Sequence, residues 1–201
     1  PVTVAGITGS ARGLFLAGLW QTLRRPIVLV TANDRAVESL AADCAFFHGV
    51  LAANGAERVA SFPAWETDPY AGFSPHADIQ QARATTLWRL RHGLLDMVIT
   101  SIRALSTRLA SPADFDSYSL HISSGDELSQ ELLIEHLAMS GYVRQEPVSG
   151  PGEFSVRGGI VDVFSPLMRN PARIEFFGDS IDSIREFDLD DQRSRGPAQY
   201  V

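Results

Sequence analysis

Hydrophobic and polar positions follow two different patterns along the chain. As far as about residue 116, short apolar runs alternate with stretches in which apolar residues recur every three or four positions. Continuous apolar runs are typical of buried parallel strands, and the longer spacing is typical of helices. Strands that alternate with helices in this way predict a parallel, doubly wound α/β layer.

The helices of this first region follow from the same spacing. We expect the helix at 11–23 to be buried on all sides, because apolar residues lie nearly all round its axis. Asn33 or Asp34 is expected to cap the next helix. The predicted strands are residues 27–30, 59–62 and 97–100, with a further apolar run at 2–7, and two more helices cover residues 79–90 and 102–109.

A polar, proline-containing stretch at 111–117 predicts a domain boundary, giving domains 1–116 and 117–201. Ser124 and Glu127 then match a capping box, followed by a leucine-rich helix that ends at Gly141. From residue 153 to residue 193, short runs of Ile, Val and Phe are broken by Gly, Pro and Asn, which is typical of strands. The second region therefore predicts a small α+β domain with an antiparallel hairpin.

The hairpin has one unusual position. Residues 178–179 suit a two-residue turn with glycine first, and side chains alternate across a strand. A buried face accounts for Ile174 and Phe176, but Phe177 shares the opposite face with two charged residues, Arg173 and Glu175. Phe177 is either a partly covered surface residue or part of a docking patch for another protein, since Arg and aromatic residues anchor many interfaces.

Charge and cysteine content exclude several classes of protein. The chain has 17 basic and 24 acidic residues, a net charge of −7, and every basic residue is an arginine. A net acidic chain is a poor general binder of nucleic acid, whose affinity depends on neutralised phosphates. The single cysteine, Cys44, fits a reducing cytosol. No apolar run approaches the length of a membrane span, and a chain that enters an apolar run directly after Pro1 is expected to be a fragment.

The glycine-rich loop after residue 5 has the setting of a phosphate-binding P-loop but lacks its chemistry. A P-loop has Gly, four residues, Gly, Lys and then Ser or Thr, between a strand and a helix. Counted from Gly6, the last three of these positions are Ala11, Arg12 and Gly13, with Gly9 inside the loop. The lysine for the β- and γ-phosphates and the hydroxyl for magnesium are therefore missing. We expect no nucleotide hydrolysis at this loop.

Other candidates for catalysis are weak. Cys44 lies on an apolar helical stripe and is expected to be a core thiol. The five histidines show no metal-ligand spacing with one another or with Cys44. Glu66, Asp68 and Asp78 offer carboxylates near His76, but no paired base or nucleophile accompanies them. We therefore expect no catalytic residue, cofactor or metal in this chain.

Motifs at residues 6–12, 62–70, 73–76, 152–164, 173–179 and 191–194 occur together in this chain. Together they resemble the UvrB-like module of the bacterial transcription–repair coupling factors (Mfd). The resemblance runs over almost the whole chain. The damage-recognition helicase UvrB shares the layout, but UvrB keeps Gly-Lys-Thr where this chain has Ala-Arg-Gly. UvrB also has a long DNA-gripping hairpin for which this chain leaves no room.

The resemblance implies a non-catalytic module with a P-loop-helicase-like first domain, whose nucleotide loop is degenerate, and a second domain that binds UvrA. The UvrA-contacting positions of the family fall on Arg157, Arg173 and Phe177. The two guanidinium groups are expected to pair with carboxylates on UvrA while Phe177 fills an apolar pocket. We expect Arg173 to be an exposed charge whose removal hardly affects folding.

For the whole protein, the resemblance implies a cytoplasmic, ATP-dependent DNA translocase that contacts RNA polymerase and DNA through other domains. The module would recruit UvrA to stalled polymerase in nucleotide excision repair. Two alternatives stay open. One is a fragment of a UvrB-type, ATP-dependent DNA helicase, and the other is an α/β domain that binds a small anion at the helix N-terminus around Ser10 and Ala11.

Overall fold

The structure is a computed structural model that describes residues 2–67, 72, 75–198 and 201. The chain divides into two compact units, residues 1–109 and 110–201. The stretch 111–117, where a boundary is predicted, forms a short helix within the second unit. Asp68 and parts of the motifs at 62–70 and 73–76 lie outside the described residues. No helix in the described part of the chain is long and apolar enough to span a membrane.

A three-stranded parallel sheet forms the centre of the first unit. Strand β3 lies between β1 and β2, and all five of its residues are buried. Its side chains alternate, so Met97 and Ile99 meet α1 and α2 on one face while Val98 meets α3 on the other. The elements are α1 (Ala11–Leu23), β1 (Ile27–Thr31), α2 (Arg35–Leu51), β2 (Val59–Phe62), α3 (Ala77–Arg91), β3 (Met97–Ser101) and α4 (Ile102–Leu105).

The run 2–7, predicted as a strand before the loop, is not a strand in the described structure. Residues 2–5 have no regular secondary structure, and Val2 is 92% exposed. An apolar run becomes a strand only when its backbone pairs with a neighbour, and the sheet order β1-β3-β2 gives this run no partner. The setting expected for a P-loop, with a strand directly before the loop, is therefore missing.

Three other expectations for the first unit need correction. Helix α1 has the predicted bounds, but it is buried along one side only, at Gly13 and Ala17. Strand β1 is parallel as predicted, but it lies at a sheet edge and leaves Val28 half-exposed. The helix predicted at 102–109 ends at Leu105, where the Ser106 hydroxyl donates back to the carbonyl of Ile102.

A buried polar cluster links α2, the short 3-10 helix Gly55–Arg58 and the residue before β3. The carboxylate of Asp96 accepts hydrogen bonds from Arg58 Nε at 2.8 Å and from Nε2 of the fully buried His48 at 2.9 Å. Burial raises the pKa of Asp96, but the hydrogen bonds and charges of Arg58 and His48 outweigh burial, and the net pKa is lowered. The cluster ties α2 to the segment that enters β3.

A six-stranded sheet covered by one helix makes up the second unit. Its strands lie in chain order, antiparallel except for the first pair, which is parallel. Helix α6 packs on one face through Leu133 and Leu137. The elements are α5 (Pro112–Ser117), α6 (Gln130–Met139), β4 (Val143–Arg144), β5 (Glu153–Arg157), β6 (Ile160–Phe164), β7 (Ala172–Phe177), β8 (Ser180–Phe187) and β9 (Ser194–Pro197).

The cap predicted for α6 is wrong by five residues. Ser129 caps the helix, accepting from the backbone N–H of Leu132, whereas the hydroxyl of Ser124 donates to the carbonyl of Asp182. Only Ser124 has the glutamate three residues later that a capping box requires, but the pairing of residues 124–127 with β8 keeps it out of the helix. Gly141 follows the helix with φ +87°, as expected of a C-terminal stop.

Candidate functional site

The sheet of the second unit has an outer face, opposite α6, that carries the predicted site. Val161, Ile174 and Ile184 point to the buried core under α6. Side chains alternate along a strand, so the neighbouring positions of these strands point to the other side. The outer face therefore contains Ser155, Arg157, Ile160, Asp162, Arg173, Glu175, Phe177, Ser183 and Arg185.

Asp162 lies at the centre of this face and holds two arginines. Its oxygens accept from Arg173 Nε at 2.7 Å and from Arg173 Nη2 at 2.8 Å, a two-point contact across β6 and β7. Arg157 Nη2 donates to the same carboxylate at 3.2 Å. The Asp162 side chain is only 3% exposed, so its charge depends on these two arginines for compensation.

Arg173 is not the exposed charge that the sequence predicts. Its side chain is 15% exposed, and its guanidinium also lies 4.7 Å from the ring centre of Phe187 and donates to the carbonyl of Gln192 at 3.4 Å. The hydrogen bond to Asp162 raises the pKa of Arg173, against the effect of burial. The premise of an exposed charge is therefore wrong, and we now expect removal of Arg173 to destabilise the fold, because it would leave a buried carboxylate short of a partner.

Arg157 is held more loosely. Its side chain is 54% exposed, and its one polar contact with the described residues is the bond to Asp162. The turn that follows it is Gly158-Gly159, and Gly158 has φ +57°, a left-handed conformation that glycine adopts without strain. The glycines provide the bend between β5 and β6, and most of the guanidinium donors of Arg157 remain available to a partner.

Phe177 ends β7 and is 81% exposed. The hairpin turn is at residues 178–179 as predicted, and Phe177 pairs with Ser180 across it. Phe176 points to the opposite face and packs on the core. Phe177 is four residues from Arg173, about 13 Å along an extended strand, so the ring and the Asp162 cluster are neighbouring features and not one contact group.

The last residue of the degenerate nucleotide loop, Gly13, has a role in helix packing. Gly6 and Gly9 adopt positive φ, and the backbone N–H of Arg12 donates to the carbonyl of Gly9 at 3.2 Å as α1 begins. A Cβ on Gly13 would lie 2.7 Å from the backbone carbon of Asp43 in α2. Glycine at 13 is thus needed for close packing of α1 on α2, and a Ser or Thr hydroxyl has no room there.

Asp162 is the residue of the site that sequence reasoning missed. It lies between two core residues, Val161 and Val163, in a strand that is otherwise apolar. A lone carboxylate in such a run, with an arginine at the matching position of the next strand, is the signal that could have found it. The sequence fixes neither the strand register nor the cover over the pair, so the contact itself could not be predicted.

Comparison with known proteins agrees with this architecture. Residues 120–201 match the family described as UvrB interaction domain. Over 194 residues the chain is 39% identical to the transcription-repair-coupling factor of Myxococcus xanthus, covering 96% of this chain and 16% of that protein. The corresponding proteins of Bacillus subtilis (33% identity, 95% and 16%) and Escherichia coli (31%, 94% and 16%) are similar over nearly the same extent. The chain thus spans about one sixth of the length of these curated relatives. It belongs to the family of transcription-repair-coupling factors, and its second unit matches the UvrB interaction domain.

Proposed function

We propose that this chain is a non-catalytic recruitment module that binds UvrA through the outer face of the second unit's sheet. The observation that carries the proposal is the exposure of Phe177, 81% in a hairpin whose neighbouring ring, that of Phe176, packs on the core. An exposed aromatic ring on an ordered strand is the usual anchor of a protein interface. The match of residues 120–201 to the family described as UvrB interaction domain supports the proposal that this unit binds another protein.

The three predicted contact residues have different tasks in this proposal. Phe177 fills an apolar pocket on UvrA. Arg157 is half-exposed and pairs with a UvrA carboxylate, since its one internal bond leaves most of its donors free. Arg173 acts as a positioning residue, because its two-point contact fixes Asp162, which in turn orients Arg157.

The first unit is proposed to be a helicase-like layer that does not use a nucleotide. The close approach of Gly13 to Asp43 supports this, because the hydroxyl that would bind magnesium cannot be placed there without separating α1 from α2. ATP-driven translocation on DNA and contact with stalled RNA polymerase are proposed for other parts of a longer, cytoplasmic protein. In that protein the present module would recruit UvrA in nucleotide excision repair.

The test is the affinity of the 201-residue chain for UvrA, measured by calorimetry or surface plasmon resonance. Phe177→Ala should weaken binding by about 30-fold or more, the effect of losing an anchor worth roughly 2 kcal/mol. Met139→Ala is the matched control, because Met139 is 70% exposed at the C-terminal end of α6. Wild-type affinity in the Phe177 variant, or equal losses in both variants, would contradict the proposal.

Calorimetry with Mg-ATP separates this proposal from a UvrB-type helicase fragment. The proposed module should give no heat of binding at millimolar Mg-ATP. Saturable binding of Mg-ATP by the chain would favour the enzyme instead, and its loss in an Arg12→Ala variant would locate the nucleotide at the loop.

A further inference from the structure

A shallow depression of about 420 Å³ lies at the same end of the second unit as the turn after Phe177. Two apolar side chains line it, the half-buried Leu128 and the 57% exposed Leu132. Its other lining residues are polar or acidic: Glu127, Ser129, Glu131 and Asp179. An apolar floor with an acidic rim differs from the arginine-rich centre of the outer face.

One carboxylate of the rim, Glu127, lies on the same face of the sheet as the exposed ring, whereas the apolar floor lies on the α6 side, where Leu128 packs on the core. Phe177 pairs with Ser180 across the hairpin, and Ser180 pairs with Glu127 on its other side. Directly opposed residues of antiparallel strands point to the same face, so these three form one row. The spacing of strands puts Glu127 about 10 Å from Phe177. Asp179 lies within the hairpin turn itself, two residues after the ring.

Among the residues that the structure describes, the three carboxylates have no cation of their own. Glu127, Glu131 and Asp179 are exposed, and within the described parts of the chain no ion pair joins any of them to an arginine or histidine. The arginines of the outer face already have acidic partners: Arg157 and Arg173 contact Asp162, and Arg185 contacts Glu175. Position in the first turn of α6 accounts for Glu131 alone, since acidic residues stabilise a helix N-terminus. Glu127 and Asp179 lie outside the helix.

We propose that this depression binds a basic segment of UvrA, with an aliphatic side chain on Leu128 and Leu132 and lysine or arginine side chains against Glu127, Glu131 and Asp179. This inference rests on the proposed function and names the chemistry of the partner beside the pocket for Phe177. Charge complementarity selects the occupant, because unpaired carboxylates around an apolar floor attract cations and repel an acidic segment. The partner surface is then two-signed, acidic opposite Arg157 and basic opposite the depression.

The test compares two triple variants of the 201-residue chain for the rate of association with UvrA at several salt concentrations. The first is Glu127→Gln, Glu131→Gln and Asp179→Asn. The control is Glu38→Gln, Glu146→Gln and Asp190→Asn, which makes the same change of net charge at exposed positions elsewhere. Far-UV circular dichroism and thermal unfolding of both variants establish that each is folded.

The first variant should associate about tenfold more slowly than the control at 50 mM salt, and its rate should depend less steeply on salt, because rim charges act mainly on association. Equal rates and equal salt dependence in the two variants would overturn the inference. If Phe177→Ala abolishes binding while the acidic triple variant behaves as its control, the proposed function stands and only this inference fails. If the wild-type chain does not bind UvrA, both fail.

Discussion

Asp162 and Arg173 face each other across two neighbouring strands and are joined by two hydrogen bonds, of 2.7 and 2.8 Å, under a cover that leaves the carboxylate 3% and the arginine 15% exposed. The sequence predicts the same role, pairing with carboxylates on UvrA, for Arg157 and Arg173. Their environments in the structure differ, and so do the roles that we propose for them. Arg173 stabilises the fold and positions its neighbours. Arg157 contacts the same carboxylate from the surface, and it is the arginine that the proposed partner would reach.

Arg173→Ala should therefore lower the free energy of unfolding of the second unit by about 2–4 kcal/mol, because it leaves a buried carboxylate without its main partner. Arg157→Ala should cost no more than about 1 kcal/mol, as an exposed ion pair does. Urea unfolding followed by far-UV circular dichroism measures both. All three tryptophans lie in the first unit, so the tryptophan fluorescence transition serves as an internal reference. Equal losses in the two variants would contradict the assignment.

The two adjacent phenylalanines of β7 should respond in opposite ways. Phe177→Ala should change the free energy of unfolding by less than about 0.5 kcal/mol, since a surface residue contributes little to folding. Phe176→Ala should cost about 2–4 kcal/mol, because its ring packs on the core under α6. Thermal or urea unfolding of the two variants checks this. A large loss in the Phe177 variant would mean that the ring stabilises the fold, and its effect on UvrA binding would lose its meaning.

Helix α1 offers a matched pair of glycines. Gly13→Ser should destabilise the first unit by about 1–3 kcal/mol, because the new Cβ meets the backbone of Asp43 at 2.7 Å. Gly18→Ala should stabilise it by roughly 0.5–1 kcal/mol, since nothing lies within 4 Å of the added carbon and alanine favours a helix. Tryptophan fluorescence during urea unfolding reports both changes. A neutral Gly13→Ser variant would reopen the question of a hydroxyl at this position.

Acid should weaken the first unit through Asp96. Its pKa in the folded state is lowered below the ordinary 3.8, as Arg58 and His48 overcome the effect of burial. A lowered folded pKa contributes stability above the unfolded pKa, and that stability is lost as the pH falls through the folded pKa. Asp96→Asn should therefore lower the free energy of unfolding of the first unit by about 1–3 kcal/mol at pH 7, as measured by urea unfolding. The difference in free energy of unfolding between wild type and the Asp96→Asn variant should become smaller below about pH 4. A difference that stays constant between pH 7 and pH 3 would contradict this.

Local pattern was sufficient for elements whose ends are set by their own residues. The hairpin turn at 178–179 and the bounds of α1 follow from glycine placement and from Pro26 after Arg24 and Arg25. The local pattern gave wrong predictions where contacts with residues far away in the sequence determine the structure. The run 2–7 is apolar but has no strand beside it, and Ser124 resembles a cap but is held by β8 instead.

For the candidate site, too, the sequence predicted the features that depend on one strand and missed those that depend on several. Alternation along β7 correctly separates Phe177 from Phe176, because side-chain direction is a property of the strand alone. The same alternation cannot tell that Arg173 is covered, since the cover comes from Phe187 and the carbonyl of Gln192, more than ten residues further along the chain. Its partner Asp162 depends in addition on the register between β6 and β7.

One detail of β8 limits how a partner can bind. The strand has an extra residue, Asp182, opposite the step from Glu175 to Phe176. Its carbonyl accepts from Ser124, and Ile181 exchanges backbone hydrogen bonds with residues 125–126, while β9 pairs with the last three residues of β8. The edge of β8 that faces away from β7 is therefore paired along both halves with other segments of this chain. An incoming peptide therefore cannot extend the sheet by pairing with β8 itself, and the proposed partner would contact this strand through side chains.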